Sequence, residues 1–220
     1  HTHTHTHTHT HTHTHTHTHT HTHPHPHNHC HPPLIPTSEH KRTYKNKYAV
    51  LDLKKNKKNL EQAIAIYGDD IPMEKHPEIR SEQACYISSS QAIALAKKTG
   101  ARLHVFHLST AKETKLFDKK KALKDKKITA EVCVHHLWFT SEDYASKGTK
   151  IKWNPAVKTK KDREGLWKAL NEGRIDVIAT DHAPHTLEEK NNVYTKAPSG
   201  GPLVQHALEA LFEMHHKGYI

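Results

Sequence analysis

The sequence predicts an α/β fold with a parallel sheet over roughly its C-terminal two thirds. From Ser81 onwards, helical and strand patterns alternate in the order helix, strand, helix, strand, helix, strand, helix. This alternation is typical of parallel strands joined by right-handed crossovers. Each predicted strand is also followed by histidine or aspartate at its C-terminal end, which is the edge where parallel α/β folds carry their chemistry.

The third predicted strand gives the clearest indication of a site. Its apolar run from Ile175 to Ala179 is rich in β-branched residues, as in a buried parallel strand, and is followed by Asp181, His182 and His185. Aspartate at such a position can bind a divalent metal and accept a proton, and a nearby histidine can bind metal or an anionic substrate. The alternative interpretation is a solvated, capped turn that happens to contain two histidines.

The remaining elements follow from hydrophobic periodicity and from cap residues. The predicted strands are 102–108, which includes His107 near its end, and 128–134, which is followed by His135 and His136. The predicted helices run over about 54–67, 81–98, from 111 through an amphipathic basic stretch, 161–171 and 203–216, with a short helix after the capping-box pattern at Thr140. Gly68, Gly100 and Gly173 are expected to end three of these helices.

The N-terminal part has a different composition. Residues 1–33 hold 16 of the 27 histidines, in His-Thr and His-Pro repeats without an aliphatic or aromatic side chain, so we expect a disordered tail. An alternating CA dinucleotide repeat translates into His-Thr, which suggests a microsatellite read through as protein, and a metal-buffering tail is the alternative. Residues 34–66 are interpreted as a basic linker or a remnant helix, and residues 67–220 as the folded domain.

Composition narrows the function classes. The formal net charge is +10, and lysine and arginine are concentrated in two runs, residues 41–58 and 112–127. In the second run the lysines are mixed with acidic residues, and no nucleic-acid-binding motif accompanies either run. We therefore expect neither nucleic-acid binding nor, given the lack of a long apolar run, membrane insertion. Cys30, Cys85 and Cys133 are isolated in the sequence, which favours a reducing, cytoplasmic location over a disulfide framework or a cysteine metal site.

Six motifs, taken in order and spacing, make residues 67–211 resemble the dihydroorotases of the cyclic amidohydrolase family. They are H-P-E-I-R-S-E from His76, H-L-S-T-A-K-E from His107, A-E-V-C-V-H-H-L from Ala130, W-N-P-A-V-K from Trp153, D-V-I-A-T-D-H-A-P-H from Asp176, and K-A-P-S-G-G-P from Lys196. The resemblance implies the C-terminal part, about strands 6 to 8, of a (β/α)8 TIM-type barrel. It also implies one or two zinc ions, dihydroorotate or carbamoyl aspartate as the small-molecule substrate in pyrimidine synthesis, and a possible homo-oligomer.

The resemblance also implies roles for individual residues. His107 and Asp181 match zinc ligands, and Asp181 also matches the catalytic residue that carries the proton between hydroxide and the leaving nitrogen. The matched substrate-binding positions are Asn154, His185, Pro198 and Gly200. His135, His136 and His182 are expected around the pocket as neighbours, not as ligands.

The sequence also departs from the family pattern. No predicted strand of this sequence carries the H-x-H pair of the first strand, the bridging lysine or aspartate of the fourth or the histidine of the fifth. The H-x-H strings of the tail match the first pattern only formally, because they lie in no predicted strand. With only His107 and Asp181 to hold zinc, we expect weak metal binding and little or no turnover from a fragment that supplies three of eight strands. Another cyclic amidohydrolase of the allantoinase or hydantoinase type, a non-catalytic relative that acts as a scaffold, and a His-rich metal-binding protein stay open as alternatives.

Overall fold

The computed structural model describes residues 55–119 and 121–220. The predicted tail, residues 1–33, and residues 34–54 of the predicted linker lie outside this part of the chain. Residues 55–67 form a helix, α1, which ends at Gly68 with φ +62°. The predicted helix before Gly68 is therefore confirmed over the residues that are described.

Three parallel strands form the sheet in the order β1-β2-β3. They are β1 (Leu103–Val105), β2 (Ile128–Cys133) and β3 (Val177–Ala179). Val105 of β1 pairs with Ala130, and Cys133 pairs with Ala179 of β3. The predicted parallel arrangement is confirmed.

All three strands are shorter than predicted, β2 by one residue only. The predicted 102–108 strand ends at Val105 because His107, with φ +39°, turns the backbone away from an extended conformation. Before β3, the Asp176 carboxylate accepts a hydrogen bond from the Ala130 amide at 3.0 Å, and the Asp176 amide donates to the Ala130 carbonyl at 2.9 Å. The side chain thus takes a position that a strand carbonyl would occupy, so the ladder begins later, at Val177.

Helices connect and cover these strands. In chain order they are α2 (His76–Ile79), α3 (Glu82–Thr99), α4 (Ala111–Thr114), α5 (Val134–Trp138), α6 (Tyr144–Lys147), α7 (Lys160–Asn171), α8 (Leu187–Lys190) and α9 (Val204–His216). Short 3-10 turns lie at Met73–Lys75, Leu123–Asp125, Ser141–Asp143 and Gly148–Ile151. None of the helices in the described part of the chain combines the length and apolar character needed to cross a lipid bilayer.

Cap residues, some of them predicted from the sequence, explain where several helices begin and end. The Ser81 side chain accepts from the Ala84 amide at 3.3 Å, and Gly100, with φ +70°, ends α3. Thr159 and Asp162 form a capping box at the start of α7, and Thr140 with Asp143 forms another. Side chains that bond locally to the backbone are therefore the most reliable markers of element boundaries in this sequence.

The long helix predicted after Ala111 was wrong in extent, since α4 covers only Ala111–Thr114. Phe117, which follows α4, is buried in the core. The Phe117 carbonyl accepts a hydrogen bond from Arg174 Nη1 at 2.7 Å, which replaces the helical partner that this carbonyl would otherwise need. A long-range side chain therefore bonds to the segment after α4 in place of a further helical turn.

Two apolar clusters hold the fold together. One lies between the sheet and α3, α5, α7 and α9, and includes Leu108, Val132, Leu166 and Trp167. The other surrounds Trp153 at the far side of the strand ends, and its other members include Ile71, Met73, Ile79, Tyr144, Val157 and Tyr194. This second cluster contacts the end of β2 through the stack of Trp153 on His135.

Candidate active site

A buried cluster of cysteine and histidine lies at the C-terminal end of β2. Cys133 is the last residue of the strand, and His135 and His136 lie in the first turn of α5. One ligand atom from each of the three residues lies within 4.8 Å of the others. The exposed fractions of the three side chains are 0% for Cys133, 0% for His135 and 2% for His136.

The sequence did not predict this cluster. Cys133 is isolated from other cysteines in the sequence, and the expected role of His135 and His136 as pocket neighbours stays a prediction. The helix α5 was not predicted. Its last carbonyls are satisfied by distant side chains: Trp167 Nε1 donates to the Leu137 carbonyl, and Arg163 Nη1 donates to the Trp138 carbonyl. The Cys-x-His-His spacing was the available signal, since a turn directly after a strand brings such neighbours together.

Three of the four ring nitrogens of His135 and His136 have no hydrogen-bond partner among the described residues. His136 Nε2 lies 3.1 Å from the Pro155 carbonyl, and because a carbonyl can only accept, Nε2 carries the proton. His136 Nδ1 is therefore an unprotonated nitrogen, and it has no hydrogen-bond partner among the described residues. Both ring nitrogens of His135 also lack a partner within residues 55–119 and 121–220.

Burial keeps these groups neutral. It lowers the pKa of His135 to about 3, with a smaller contribution from the neighbouring His107 imidazole. It lowers the pKa of His136 well below its usual value, with His135 adding to the effect. Burial also raises the pKa of the Cys133 thiol, and the carboxylates of Asp181 and Glu131 raise it further.

His107 and Asp181 reach the same place from the two flanking strands. Each lies two residues after its strand, as His135 does after β2, and each has a positive φ, +39° for His107 and +47° for Asp181. Such a conformation is unusual for residues other than glycine and is concentrated at functional sites. His107 acts electrostatically on both histidines of the cluster, and Asp181 acts on Cys133.

The segment Lys196–Pro202 is held beside the strand ends by two buried lysines. Lys190 Nζ donates to the carbonyls of Pro198 at 2.9 Å and Gly200 at 2.8 Å, and to that of Lys152 at 3.2 Å. Lys152 Nζ donates to the carbonyls of Tyr194 and Ala197, each at 2.6 Å. Burial lowers the pKa of each lysine to about 8. The shape of this segment therefore depends on two side chains that the sequence patterns did not single out.

The four predicted substrate-binding residues meet at this segment. Asn154 Nδ2 donates to Ser199 Oγ at 3.0 Å, and the Gly200 amide donates to the Lys152 carbonyl at 2.9 Å. A Cβ on Gly200, whose φ is +136°, would lie 2.5 Å from the Ala183 carbonyl oxygen and 3.2 Å from His185 Cδ2. Only glycine therefore fits at this position, between Ala183 and the His185 imidazole.

The two remaining histidines of the Asp181 segment have separate partners. His182 is exposed, and its Nδ1 accepts from the amides of Leu203 and Val204 at 3.0 and 3.1 Å. His185 Nδ1 lies 3.6 Å from Glu189. His182 thus anchors the start of α9, and its expected place among the pocket neighbours stays a prediction.

A cleft of about 260 Å³ adjoins these residues. Its lining includes His76, Arg80, Lys152, Asn154 and Ser199. His76 is fully buried, with Nε2 2.7 Å from the Trp153 carbonyl and Nδ1 2.8 Å from the Tyr194 hydroxyl. The H-P-E-I-R motif therefore braces the Trp153 loop and places Arg80 at the cleft, roles that the sequence did not reveal.

Parts of the chain are similar to known proteins in sequence and in fold. No protein-family model matches the sequence. A dihydroorotase of Carboxydothermus hydrogenoformans is 47% identical over 120 residues, and one of Latilactobacillus sakei is 44% identical over 108 residues. These matches cover 54% and 49% of the chain.

Over about half of its length, the chain is therefore similar to dihydroorotases. It spans only about a quarter of the length of these curated relatives, 28% and 25% in the two cases. Solved cyclic amidohydrolases share its fold: a dihydropyrimidinase from Brevibacillus agri gives a TM-score of 0.67 at 27% identity and covers 76% of this chain and 37% of its own. A Saccharomyces cerevisiae dihydroorotase in complex with 5-fluoroorotic acid gives 0.53 at 20% identity, over 59% of this chain and 37% of its own, which shows the fold alone.

Proposed function

We propose that residues 67–220 carry the C-terminal part of a cyclic amide hydrolase site of the dihydroorotase type. The reaction is the interconversion of dihydroorotate and carbamoyl aspartate, with β1, β2 and β3 as about strands 6 to 8 of a (β/α)8 barrel. One observation carries the proposal: His107, Asp181 and the β2 cluster of Cys133, His135 and His136 all lie at one edge of a parallel sheet. The curated relatives named above are dihydroorotases.

The proposed metal is zinc, held by His107 and Asp181. Imidazole nitrogen and carboxylate oxygen are donors that zinc accepts, although a catalytic zinc usually has three protein ligands and these are two. When bound, zinc lowers the pKa of a water molecule and polarises the substrate carbonyl. The donors therefore fit the metal in kind, and further donors are needed for tight binding.

The protein groups have distinct proposed tasks. Asp181 accepts the proton of the attacking water and returns it to the leaving ring nitrogen, a task suited to an exposed carboxylate on a constrained backbone. Asn154, His185, Pro198 and Gly200 bind the ring, and the hydrogen bond from Asn154 to Ser199 fixes the orientation of that amide. Arg80 in the cleft favours an anionic substrate, and dihydroorotate carries a carboxylate.

We expect little or no turnover from the 220 residues alone, because two donors hold zinc weakly. The first experiment measures dihydroorotate hydrolysis by the purified chain with zinc. Zinc-dependent turnover that Asp181→Asn abolishes would contradict the expected inactivity while supporting the assignment of the site.

A chimera tests the site itself. The 120-residue segment of the Carboxydothermus hydrogenoformans dihydroorotase is replaced by the matching segment of this chain. We expect dihydroorotate hydrolysis that falls at least about 100-fold on Asp181→Asn, as for loss of a group that transfers a proton. Glu188→Gln, at an exposed carboxylate of α8, is the matched control and should leave the rate unchanged.

The second candidate is hydrolysis of a ring without a carboxylate, as in a hydantoinase. The structural similarity to the Brevibacillus agri dihydropyrimidinase favours it. The same chimera is assayed with dihydroorotate, dihydrouracil and hydantoin. Turnover of the two uncharged rings without turnover of dihydroorotate would replace the first candidate by the second.

A further inference from the structure

We propose that Cys133, His135 and His136 form a binding site for one zinc-class divalent cation, distinct from the donor pair His107 and Asp181. The site lies at the C-terminal end of β2 and the first turn of α5. It rests on the geometry of the cluster and not on the proposed catalytic function, so either can fail without the other.

The donor set matches the metal class. One thiolate sulfur with two imidazole nitrogens is a soft to borderline set, typical of zinc and unlike the all-oxygen sites of calcium or magnesium. Zinc bond lengths of about 2.0–2.3 Å place tetrahedral ligand atoms about 3.3–3.6 Å apart. The ligand atoms here lie within 4.8 Å of one another, so a contraction of about 1 Å, within reach of side-chain rotation, completes the site.

The second observation is the state of the ring nitrogens. His136 donates from Nε2 to the Pro155 carbonyl, which is the arrangement that fixes the tautomer and orientation of metal-binding histidines. Its Nδ1 is left with a free lone pair and no partner in the described part of the chain. Buried polar atoms are nearly always paired with the protein, with a bound water or with an ion, and an unprotonated imidazole nitrogen is a donor atom that a metal ion can bind.

His135 is oriented by stacking. Its ring lies nearly parallel to the Trp153 indole, with centroids 4.3 Å apart and 14° between the planes. The lone pair of an imidazole nitrogen lies in the ring plane, so stacking on one face leaves the edge free. Both nitrogens of His135 have no hydrogen-bond partner among the residues that the structure describes.

The charge of a buried cation is balanced locally. On binding, the Cys133 thiol releases its proton to solvent and the sulfur forms the bond to the metal as thiolate. The Asp181 and Glu131 carboxylates act electrostatically on Cys133, so further negative charge lies close to the cation. The site is therefore able to hold a divalent ion away from bulk water.

Cobalt(II) is the probe, because thiolate bound to it gives a near-ultraviolet sulfur-to-metal charge-transfer band that imidazole alone does not give. The full chain is titrated with Co²⁺, together with Cys133→Ser and the matched controls Cys30→Ser and Cys85→Ser. Cys30 lies among tail histidines, so its variant separates the tail from the site. We expect the band at one ion per chain in the wild type and both controls, and its loss in Cys133→Ser.

Two further variants complete the test. His136→Gln keeps the thiol, and the Co²⁺ affinity measured from the charge-transfer band should fall at least tenfold. This variant tests the proposed site if Cys133→Ser does not fold. His107→Ala with Asp181→Asn should retain the band, since the proposed site is separate from that pair. A missing band in the wild type, a band that survives Cys133→Ser, or one that disappears with the His107 and Asp181 changes would overturn the proposal.

Discussion

The imidazole of His135 lies flat against the indole of Trp153, with ring centroids 4.3 Å apart and an interplanar angle of 14°. This contact joins the end of β2 to the loop that carries Asn154. Trp153 also stacks on Phe139 at 5.7 Å, and Gly201 lies against the indole so closely that a Cβ there would be 2.8 Å from Cζ2. One side chain therefore joins the β2 cluster, the Asn154 loop and the Lys196–Pro202 segment.

Replacement of Trp153 tests this arrangement. Trp153 is 3% exposed, so Trp153→Ala leaves a large cavity and should lower the free energy of unfolding by about 3–5 kcal/mol. Trp153→Phe retains part of the stack and should cost clearly less. Urea unfolding of the three proteins measures the difference, and a loss below about 1 kcal/mol for the alanine variant would show that the stack is not important for stability.

His76 gives the fold a dependence on pH. Burial lowers the pKa of His76 to about 3, with the Trp153 carbonyl opposing the shift and the cations of Lys158, Lys152 and Arg80 adding to it. Between about pH 6.5 and 3 the unfolded chain binds a proton at this histidine and the folded chain does not. Stability therefore falls as pH decreases through this window, by about 1.4 kcal/mol per pH unit.

The variant His76→Gln isolates this contribution. Urea unfolding measured from pH 7 to 4 should give a slope about 1.4 kcal/mol per unit shallower than in the wild type, because glutamine does not titrate. Equal slopes for wild type and His76→Gln would mean that His76 already binds a proton in the folded protein.

Sequence patterns succeeded where the chain determines its structure locally. The Ser81 side-chain hydrogen bond fixes the start of α3, and the positive φ of Gly100 fixes its end. Both residues were predicted as helix ends from the sequence. His107 and Asp181 were proposed as candidate ligands because both follow apolar strands, and that role stays a prediction. Their positive φ values were not foreseen, since histidine and aspartate carry no such preference strong enough to read from one sequence.

Long-range side chains account for what was missed. Arg174 ends the segment after α4 by bonding the Phe117 carbonyl across 57 positions of sequence, and Trp167 bonds the Leu137 carbonyl across 30. Lys190 and His76 were not recognised as organisers of the site because their partners are backbone carbonyls or distant rings. No local spacing rule describes such contacts, which exist only after the elements have packed.

The ion pair between Lys126 and Asp176 gives a prediction for the base of the sheet. Their charged atoms lie 2.6 Å apart, and the side chains are 2% and 6% exposed. Asp176→Asn leaves the Lys126 charge buried without its partner and should lower the free energy of unfolding by about 3–5 kcal/mol. The matched control is Glu61→Gln in the exposed Lys57–Glu61 pair, where denaturant unfolding should change by no more than about 0.5 kcal/mol. Similar losses in both variants would contradict this account.

Lys190 connects stability to the proposed substrate loop. Its ammonium donates to the carbonyls of Lys152, Pro198 and Gly200. The Lys152 carbonyl also accepts from the Gly200 amide, so Lys190→Met leaves the Pro198 and Gly200 carbonyls without a donor, at a cost of about 1–3 kcal/mol for each. Because two of the three carbonyls belong to the Lys196–Pro202 segment, we expect amide hydrogen exchange to accelerate there first, while β2 stays protected. Lys196→Met changes an exposed lysine in the same segment and should leave exchange unaltered. Uniform acceleration across the chain would mean that Lys190 supports global stability and does not specifically hold the segment that places Pro198 and Gly200 beside Asn154.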